Sequence, residues 1–253
     1  MKKLLSIVTV VKNDVHNIEK TIRSIISQKN NLLEYVVIDG LSTDGTFHKI
    51  IKYKNKIDKI IRQKDTGIYD AMNKGIKYSK GVFIGFCNSG DLINYGGINI
   101  LINNLDNKTD VLFATVKRNY LGQTVVKSGY NLKRLNYNFD FATSHSTGFY
   151  IKKKLHKKVG LYNTKFKCSS DYDFYYRLLK KNKLNIKNTR ENKIIGIVKS
   201  GGFSSTFSPL EHLNEETLIR IKNKQNILFI FLIYINASIK IFIKKILPKK
   251  TKI

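Results

Sequence analysis

A mostly parallel α/β sheet is the fold class this sequence predicts, on three observations. Short, β-branched, nearly unbroken apolar runs recur through the first hundred residues. Helical periodicity fills the gaps between them, and polar, Asp-rich turns follow each run. Runs that are apolar at every position mark strands covered on both faces.

Leu4–Val11 is the first such run. Met1-Lys2-Lys3 ahead of it resembles the start of a signal peptide, but the run ends in Lys12-Asn13-Asp14 with no small-residue cleavage site. It reads as a buried strand. Ile18, Ile22, Ile25 and Ile26 follow with helical spacing, and Asn13 or Asp14 is placed to cap. Tyr35–Asp39 is the second strand, and Phe47, Ile50 and Ile51 mark a helix after Asp44-Gly45. Lys59–Arg62 and Val82–Cys87 are the third and fourth strands, separated by a weaker helical pattern through Met72 and Ile76. Alternation of this kind builds right-handed βαβ units, whose ligands sit beyond the carboxyl ends of the strands. The middle of the chain is less regular. Val111–Val116, Thr124–Lys127 and Gly148–Ile151 read as strands, and Tyr172–Leu179 as a helix turning Phe174, Leu178 and Leu179 inward. A polar helix is expected over Glu211–Lys224. Ile227–Ile235 is then apolar without a break, and Ile239–Leu247 mixes Ile, Phe and Leu with Lys.

Composition narrows the function classes. At 253 residues the chain holds one large or two small domains, and 42% hydrophobic residues with 11% aromatics exclude a disordered protein. Two cysteines exclude a disulfide framework or a Cys-based zinc site and suit a reducing compartment; Cys87 and Cys168 read as inert thiols. The excess of 46 basic over 18 acidic residues, a net charge of +28, attracts polyanions. Only seven of the basic residues are Arg, and the Lys, Asn and Ile richness is equally what an AT-rich genome yields. A nucleic-acid binder would show aromatic-interleaved basic patches or a recognition motif, and neither is present. Ile227 to Ile239 is too short to span a bilayer. The lysines after it (Lys240, Lys244, Lys245, Lys249, Lys250 and Lys252) suit a helix lying in the headgroups of an anionic membrane; a core helix is the alternative.

The acids are where chemistry is expected. Asp39, Asp44, Asp65, Asp70 and Asp91 fall in loops ending parallel strands and make up five of the 18 acidic residues. Singly, each reads as an ordinary turn residue. Together they suggest a polar ligand with a hard divalent cation, Mg²⁺ or Mn²⁺. His16, His48, His156 and His212 sit on polar helical stretches and are expected to be exposed.

Four ordered motifs carry a resemblance. Ser6-Ile7-Val8-Thr9-Val10, Val37 to Thr46 (VIDGLSTDGT), Asp65 to Gly75 (DTGIYDAMNKG) and Gly81 to Asp91 (GVFIGFCNSGD) are similar to the family 2 glycosyltransferases of GT-A fold, in the flavour of bacterial colanic-acid, capsule and O-antigen assembly. The match is strong over residues 4–92 and looser over 143–205. The resemblance implies a nucleotide-diphospho-sugar donor, probed first as a uridine donor, a divalent metal, and inverting transfer to a saccharide or lipid-linked saccharide at the cytoplasmic face of a bacterial membrane. It implies a donor-binding half (1–100), an acceptor-binding half (101–210) and a helical tail (211–253). Carried over by position, Thr9 lies against the nucleotide and Asp39 accepts from the base ring N–H. Asp65, Gly67, Asp70 and Asn73 line the ribose and sugar side, Asn88 and Ser89 count among the donor-binding residues, and Asp91 is both donor-binding and the metal ligand. Asn88-Ser89-Gly90-Asp91 departs from the D-x-D form by keeping one carboxylate, which weakens metal binding. Ser169-Ser170-Asp171-Tyr172-Asp173 resembles the family's E-D segment with Ser170 in place of Glu. Asp171 is the expected general base and Asp173 the fallback; a helix cap is the structural alternative. His145 is placed to touch acceptor or metal, or to make a structural hydrogen bond. Gly201-Gly202-Phe203-Ser204 resembles a loop closing over the donor, or is a plain turn. A sugar nucleotidyltransferase is the nearest enzymatic alternative, but Val11-Lys12-Asn13-Asp14 is not the phosphate loop it needs. A basic, non-enzymatic polyanion binder is the other.

Overall fold

The computed structural model describes residues 3–120, 123–137, 146–181 and 183–246. Its first part alternates Leu5–Val11 (β1), Ile18–Ile26 (α1), Leu33–Asp39 (β2), Thr46–Ile51 (α2), Lys59–Arg62 (β3), Ile68–Tyr78 (α3) and Phe83–Phe86 (β4). The four strands lie parallel in the order β3-β2-β1-β4. β1 and β2 are buried at every position, which is why their sequence shows no polar alternation. Their side chains nonetheless divide by parity between two cores. Val8, Val10, Val36, Ile38, Ile84 and Phe86 face one way, toward Met72 and Ile76 of α3. Ile7, Leu33, Tyr35, Val37 and Phe83 face the other, toward Ile18, Ile22 and Ile25 of α1.

The second part is Leu92–Ile93 (β5), Gly97–Asn104 (α4), Val111–Phe113 (β6), Thr115–Tyr120 (β7), Gln123–Lys127 (β8), Phe149–Lys152 (β9), Lys153–Val159 (α5), Ser170–Lys181 (α6), Ile186–Asn188 (β10), Ile194–Val198 (β11), Pro209–Lys222 (α7) and Ile227–Ile246 (α8). β9 runs antiparallel between β4 and β6, and β10 closes a seven-stranded sheet of order β10-β6-β9-β4-β1-β2-β3. A second, four-stranded sheet, β5-β11-β7-β8, was not expected. The predicted single strand Val111–Val116 breaks at Ala114, because the chain leaves one sheet for the other there. Val111–Phe113 pairs with β9 and β10, whereas Val116–Arg118 pairs with β11. One apolar run thus serves two sheets.

The helices at the end differ instructively from expectation. α7 starts two residues early at Pro209, fixed by a reciprocal cap. The Ser208 hydroxyl accepts the Glu211 N–H (3.2 Å), and the Glu211 carboxylate accepts the Ser208 N–H (2.7 Å). α8 does not stop near Ile239. Lys240 lies exposed on the helix, which continues to Ile246 and is long and apolar enough, by length and composition, to cross a membrane. Leu247, Lys249, Lys250 and Lys252 lie outside the described residues, as does His145. His156 is not exposed either. Its ring is buried, stacked on Phe174 at 4.9 Å, and burial lowers its pKa to about 3, so it stays neutral.

Candidate active site

A cleft of about 1320 Å³ opens at the carboxyl ends of β1, β3 and β4. On the sheet side it is lined by Lys12, Asp14, Asp65, Gly67, Asn88, Ser89 and Asp91. Also on its lining are Ser169 and Asp171 at the start of α6, the Lys199–Ser205 segment, and His212 and Glu216 of α7. The cleft follows from topology, since parallel strands deliver their polar turns to one edge of the sheet.

Six of the ten residues singled out in the sequence lie on this lining: Asp65, Gly67, Asn88, Ser89, Asp91 and Asp171. Gly40 makes room for Asp65, because a Cβ there would stand 2.0 Å from the Asp65 Oδ2. Gly67 turns the chain into α3 at φ +135°, a conformation a side chain resists. Ser89 donates to Asp14 at 2.6 Å. Asp91 is buried. Its Oδ2 accepts from the Thr147 hydroxyl (2.6 Å) and its Oδ1 from the Lys199 N–H (3.0 Å). Asn88 donates through Nδ2 to the Ser146 hydroxyl at 3.2 Å, which leaves its buried Oδ1 without a partner among the described residues.

The structure moves the other four off the walls and into the frame. The Thr9 hydroxyl donates to the Cys87 carbonyl (2.7 Å), tying β1 to the end of β4. Asp39 is fully buried under its own turn, accepting the Ser42 N–H (3.3 Å) and pairing with Arg62 Nε (3.2 Å). Asp70 accepts the Thr66 N–H and pairs with Lys74 at 3.0 Å. Burial works to raise its pKa, but these partners outweigh that and hold it below the usual carboxylate range. Asn73 grips the Tyr162 backbone twice, donating to its carbonyl (2.9 Å) and accepting its N–H (3.0 Å), and so joins the two halves of the domain. Short polar side chains next to a strand end serve a turn as readily as a ligand, and the sequence pattern is the same in both cases.

Asp171 stands at the cleft wall, half-buried. Loss of water raises its pKa to about 7, while the Tyr69 hydroxyl (3.1 Å) and the Tyr172 N–H (3.0 Å) hold it from rising further. Tyr69 carries a single proton and has two acceptors, Asp171 Oδ1 and the Cys168 carbonyl at 3.0 Å. The arrangement is satisfied in both protonation states. With Asp171 ionised, Tyr69 donates to it; with Asp171 protonated, the acid donates to Tyr69, whose proton turns to Cys168. Asp173 is turned away. It is buried, bonded to Arg177 at 2.8 Å, and lines a separate groove with Leu161 and Lys165.

Tyr69, His212 and Glu215 were given no role in the sequence reading. His212 is half-buried rather than exposed, with Nε2 2.9 Å from the Ser204 carbonyl and Nδ1 3.4 Å from the Ser169 hydroxyl. A carbonyl only accepts, so Nε2 carries a proton. Tyr69 sits inside a quoted motif, where its place beside Gly67 and Asp70 was the available signal. Nothing in the pattern of α7 marks His212 or Glu215.

Comparison with known proteins places this architecture. Residues 6–183, more than half of the chain, match the family model described as Glycosyl transferase family 2, and the chain belongs to that family. It is 28% identical over 189 residues to the uncharacterized glycosyltransferase RT0329 of Rickettsia typhi, covering 70% of this chain and 59% of the relative. It is 31% identical over 90 residues to the UDP-Glc:alpha-D-GlcNAc-diphosphoundecaprenol beta-1,3-glucosyltransferase WfgD of Escherichia coli, covering 35% of this chain and 36% of that one. The chain thus spans about 59% of the first relative and a smaller share of the second. In fold it is similar to S. aureus TarS 1-349 in complex with UDP-GlcNAc, with a TM-score of 0.72 at 20% identity over 99% of this chain and 76% of that one. The fold is the GT-A fold.

Proposed function

We propose that this protein moves a sugar from a uridine-diphospho-sugar to a saccharide acceptor carried on a membrane lipid, with inversion, in the assembly of a bacterial surface polysaccharide. One observation carries the reading: a single cleft is lined by Asp91, by Asn88 with its unpartnered Oδ1, and by Asp171 with a pKa of about 7. A base poised near neutrality takes the proton of the acceptor hydroxyl as that oxygen bonds to the anomeric carbon. The bond from that carbon to the diphosphate breaks, the nucleoside diphosphate leaves, and the proton stays on Asp171. Asn88 and Asp91 offer only hard oxygen donors, which fits Mg²⁺ or Mn²⁺. Asn88 and Asp91 would hold such an ion, which would supply positive charge toward the leaving diphosphate. Lys12 and Lys199 of the same lining would add positive charge there. The uridine donor is supported by the names of WfgD and of the TarS complex, and the lipid-linked acceptor by the name of WfgD. Incubating the full chain with Mn²⁺ and a panel of nucleotide-sugars, and measuring nucleoside diphosphate release, tests this. Turnover of guanosine or thymidine donors alone overturns the uridine assignment.

The protonation chemistry gives a second test. The logarithm of kcat/KM is expected to rise with pH and level off above about pH 7, as Asp171 ionises. Tyr69→Phe removes a hydrogen bond to the charged form, so the limb moves upward by roughly one pH unit. A downward move contradicts the role given to Tyr69.

The reading includes an anionic membrane as partner, reached through α8. At about 100° per residue, Leu228, Phe231, Leu232, Ile235, Ile239 and Phe242 fall in one stripe roughly 100° wide. These six are 40–71% exposed. Lys240 and Lys245 fall on either side of the stripe, and Lys244 on the far face. The opposite face buries Ile230 and bonds Tyr234 to Asn214 of α7 at 3.2 Å. A helix with one face on protein and the other apolar, edged by lysines, lies in the headgroup region rather than across the bilayer. The triple variant Phe231→Ser, Leu232→Ser, Ile235→Ser is expected to bind phosphatidylglycerol vesicles at least roughly tenfold more weakly. Turnover with a water-soluble acceptor should be unchanged.

A further inference from the structure

The segment that leads into α6 is held from outside by a side chain of α7. Glu215 Oε1 accepts the Lys167 N–H at 2.6 Å, and its Oε2 accepts the N–H groups of Cys168 and Ser169, both at 2.9 Å. The Cys168 thiol also lies 3.2 Å from Oε2. Burial pushes that thiol's pKa up to about 12, so it is protonated and donates. Three consecutive backbone N–H groups and a thiol thus converge on one carboxylate just before the first turn of a helix. Such a turn leaves N–H groups unpaired unless a side chain accepts from them. Here the acceptor is a side chain 46 to 48 residues further along the same chain. Burial works to raise the pKa of Glu215, but the three N–H groups outweigh that and keep it below its ordinary value.

The Cys168 residue is gripped from both sides. Its N–H goes to Glu215, and its carbonyl lies 3.0 Å from the Tyr69 hydroxyl, the same hydroxyl that reaches Asp171. We propose that Glu215 is a positioning residue for Asp171, acting through the Cys168 backbone and the Tyr69 hydroxyl; this rests on the reading of Asp171 as the base. Glu215 fixes the carbonyl that competes with Asp171 for the single Tyr69 proton. Without the clamp the carbonyl drifts and the proton goes to Asp171 undivided. That change favours the ionised form, so Asp171 becomes a weaker base. The sign is opposite to that of Tyr69→Phe.

The test needs no substrate. Carboxyl ¹³C NMR of the full chain, with the Asp171 signal assigned through Asp171→Asn, gives its titration midpoint directly. The midpoint is expected at about 7 in the natural protein. It should be lower by roughly half a pH unit or more in Glu215→Ala. Glu215→Gln, which keeps one acceptor oxygen and the side-chain volume, should fall between the two, and it supplies the measurement if the Ala variant does not fold. A fold-stabilising brace alone would lower the melting temperature and leave the midpoint in place. An unchanged midpoint in the folded variants overturns the inference while leaving Asp171 as base untouched. Full nucleoside diphosphate release by Asp171→Asn would instead overturn the base assignment itself.

Discussion

Asp171→Asn is expected to lower turnover by about 10²- to 10⁴-fold, the usual worth of a general base, with the KM for the nucleotide-sugar little changed. The split follows from geometry. Asp171 comes from α6, and Asn88, Ser89 and Asp91 from the loop after β4, so its loss removes proton transfer and leaves that loop in place. A second effect separates a buried functional acid from a helix cap. Its pKa is raised by the fold from 3.8 to about 7, so the folded state disfavours the charged form. The resulting stability penalty is absent below about pH 4, grows as pH rises through that window, and is complete above about 7. The full shift corresponds to at most about 4 kcal/mol, and water in the cleft reduces it to on the order of 1–2 kcal/mol. The Asn variant is neutral throughout. It should melt with the natural protein at pH 4 and a few degrees above it at pH 8. A cap carboxylate predicts the reverse, because Asn at that position would lose a favourable charge. Melting curves at the two pH values, beside turnover, check both parts.

The first hundred residues disclosed their fold because every physical signal there points the same way. β1 and β2 are apolar throughout since both faces are covered, and α1 repeats Ile at helical spacing. The second half hid its architecture where elements are short or share a run. α5 presents only Leu155 as an obvious core residue among four lysines, and its His156 is buried against all compositional expectation. Ile194–Val198 forms the centre of a second sheet but carries a glycine in the middle. The site was legible in part for a similar reason. Acids after parallel strands were found because topology gathers them at one edge. Which of them line the cleft depends on the backbone of their own turns, and that separates Asp65 from Asp39. Of the supports of Asp171, only Tyr69 left a signal, inside the Asp65–Gly75 motif. Tyr69, Cys168 and Glu215 come from three elements far apart in sequence, and the last two look ordinary where they stand.

The metal wall supports a prediction in both directions. Asp91→Ala is expected to abolish donor-dependent Mn²⁺ binding and to cost at least roughly 10²-fold in turnover, because among the described residues no group of three or more His, Cys, Asp or Glu is placed to hold a metal in its stead. Asn88→Asp should do the opposite for the free enzyme. Asn88 already directs Oδ1 away from Ser146 and leaves it unpartnered, so a carboxylate there needs no new backbone geometry, and the Ser146 hydroxyl can reverse to donate. Oxygen-ligand sites gain affinity with ligand charge. A second carboxylate beside Asp91 is therefore expected to tighten Mn²⁺ binding to the protein alone by roughly tenfold, about 1.4 kcal/mol. In the natural protein the same ion should bind weakly until a nucleoside diphosphate brings further oxygens, so UDP and Mn²⁺ must enhance each other's binding. The enhancement should shrink in Asn88→Asp, since the added carboxylate does part of what the phosphates otherwise do. Calorimetric titration of Mn²⁺ with and without UDP measures all four affinities. Tight Mn²⁺ binding to the natural protein without UDP, or equal enhancement in both proteins, would show that Asn88 does not face the ion.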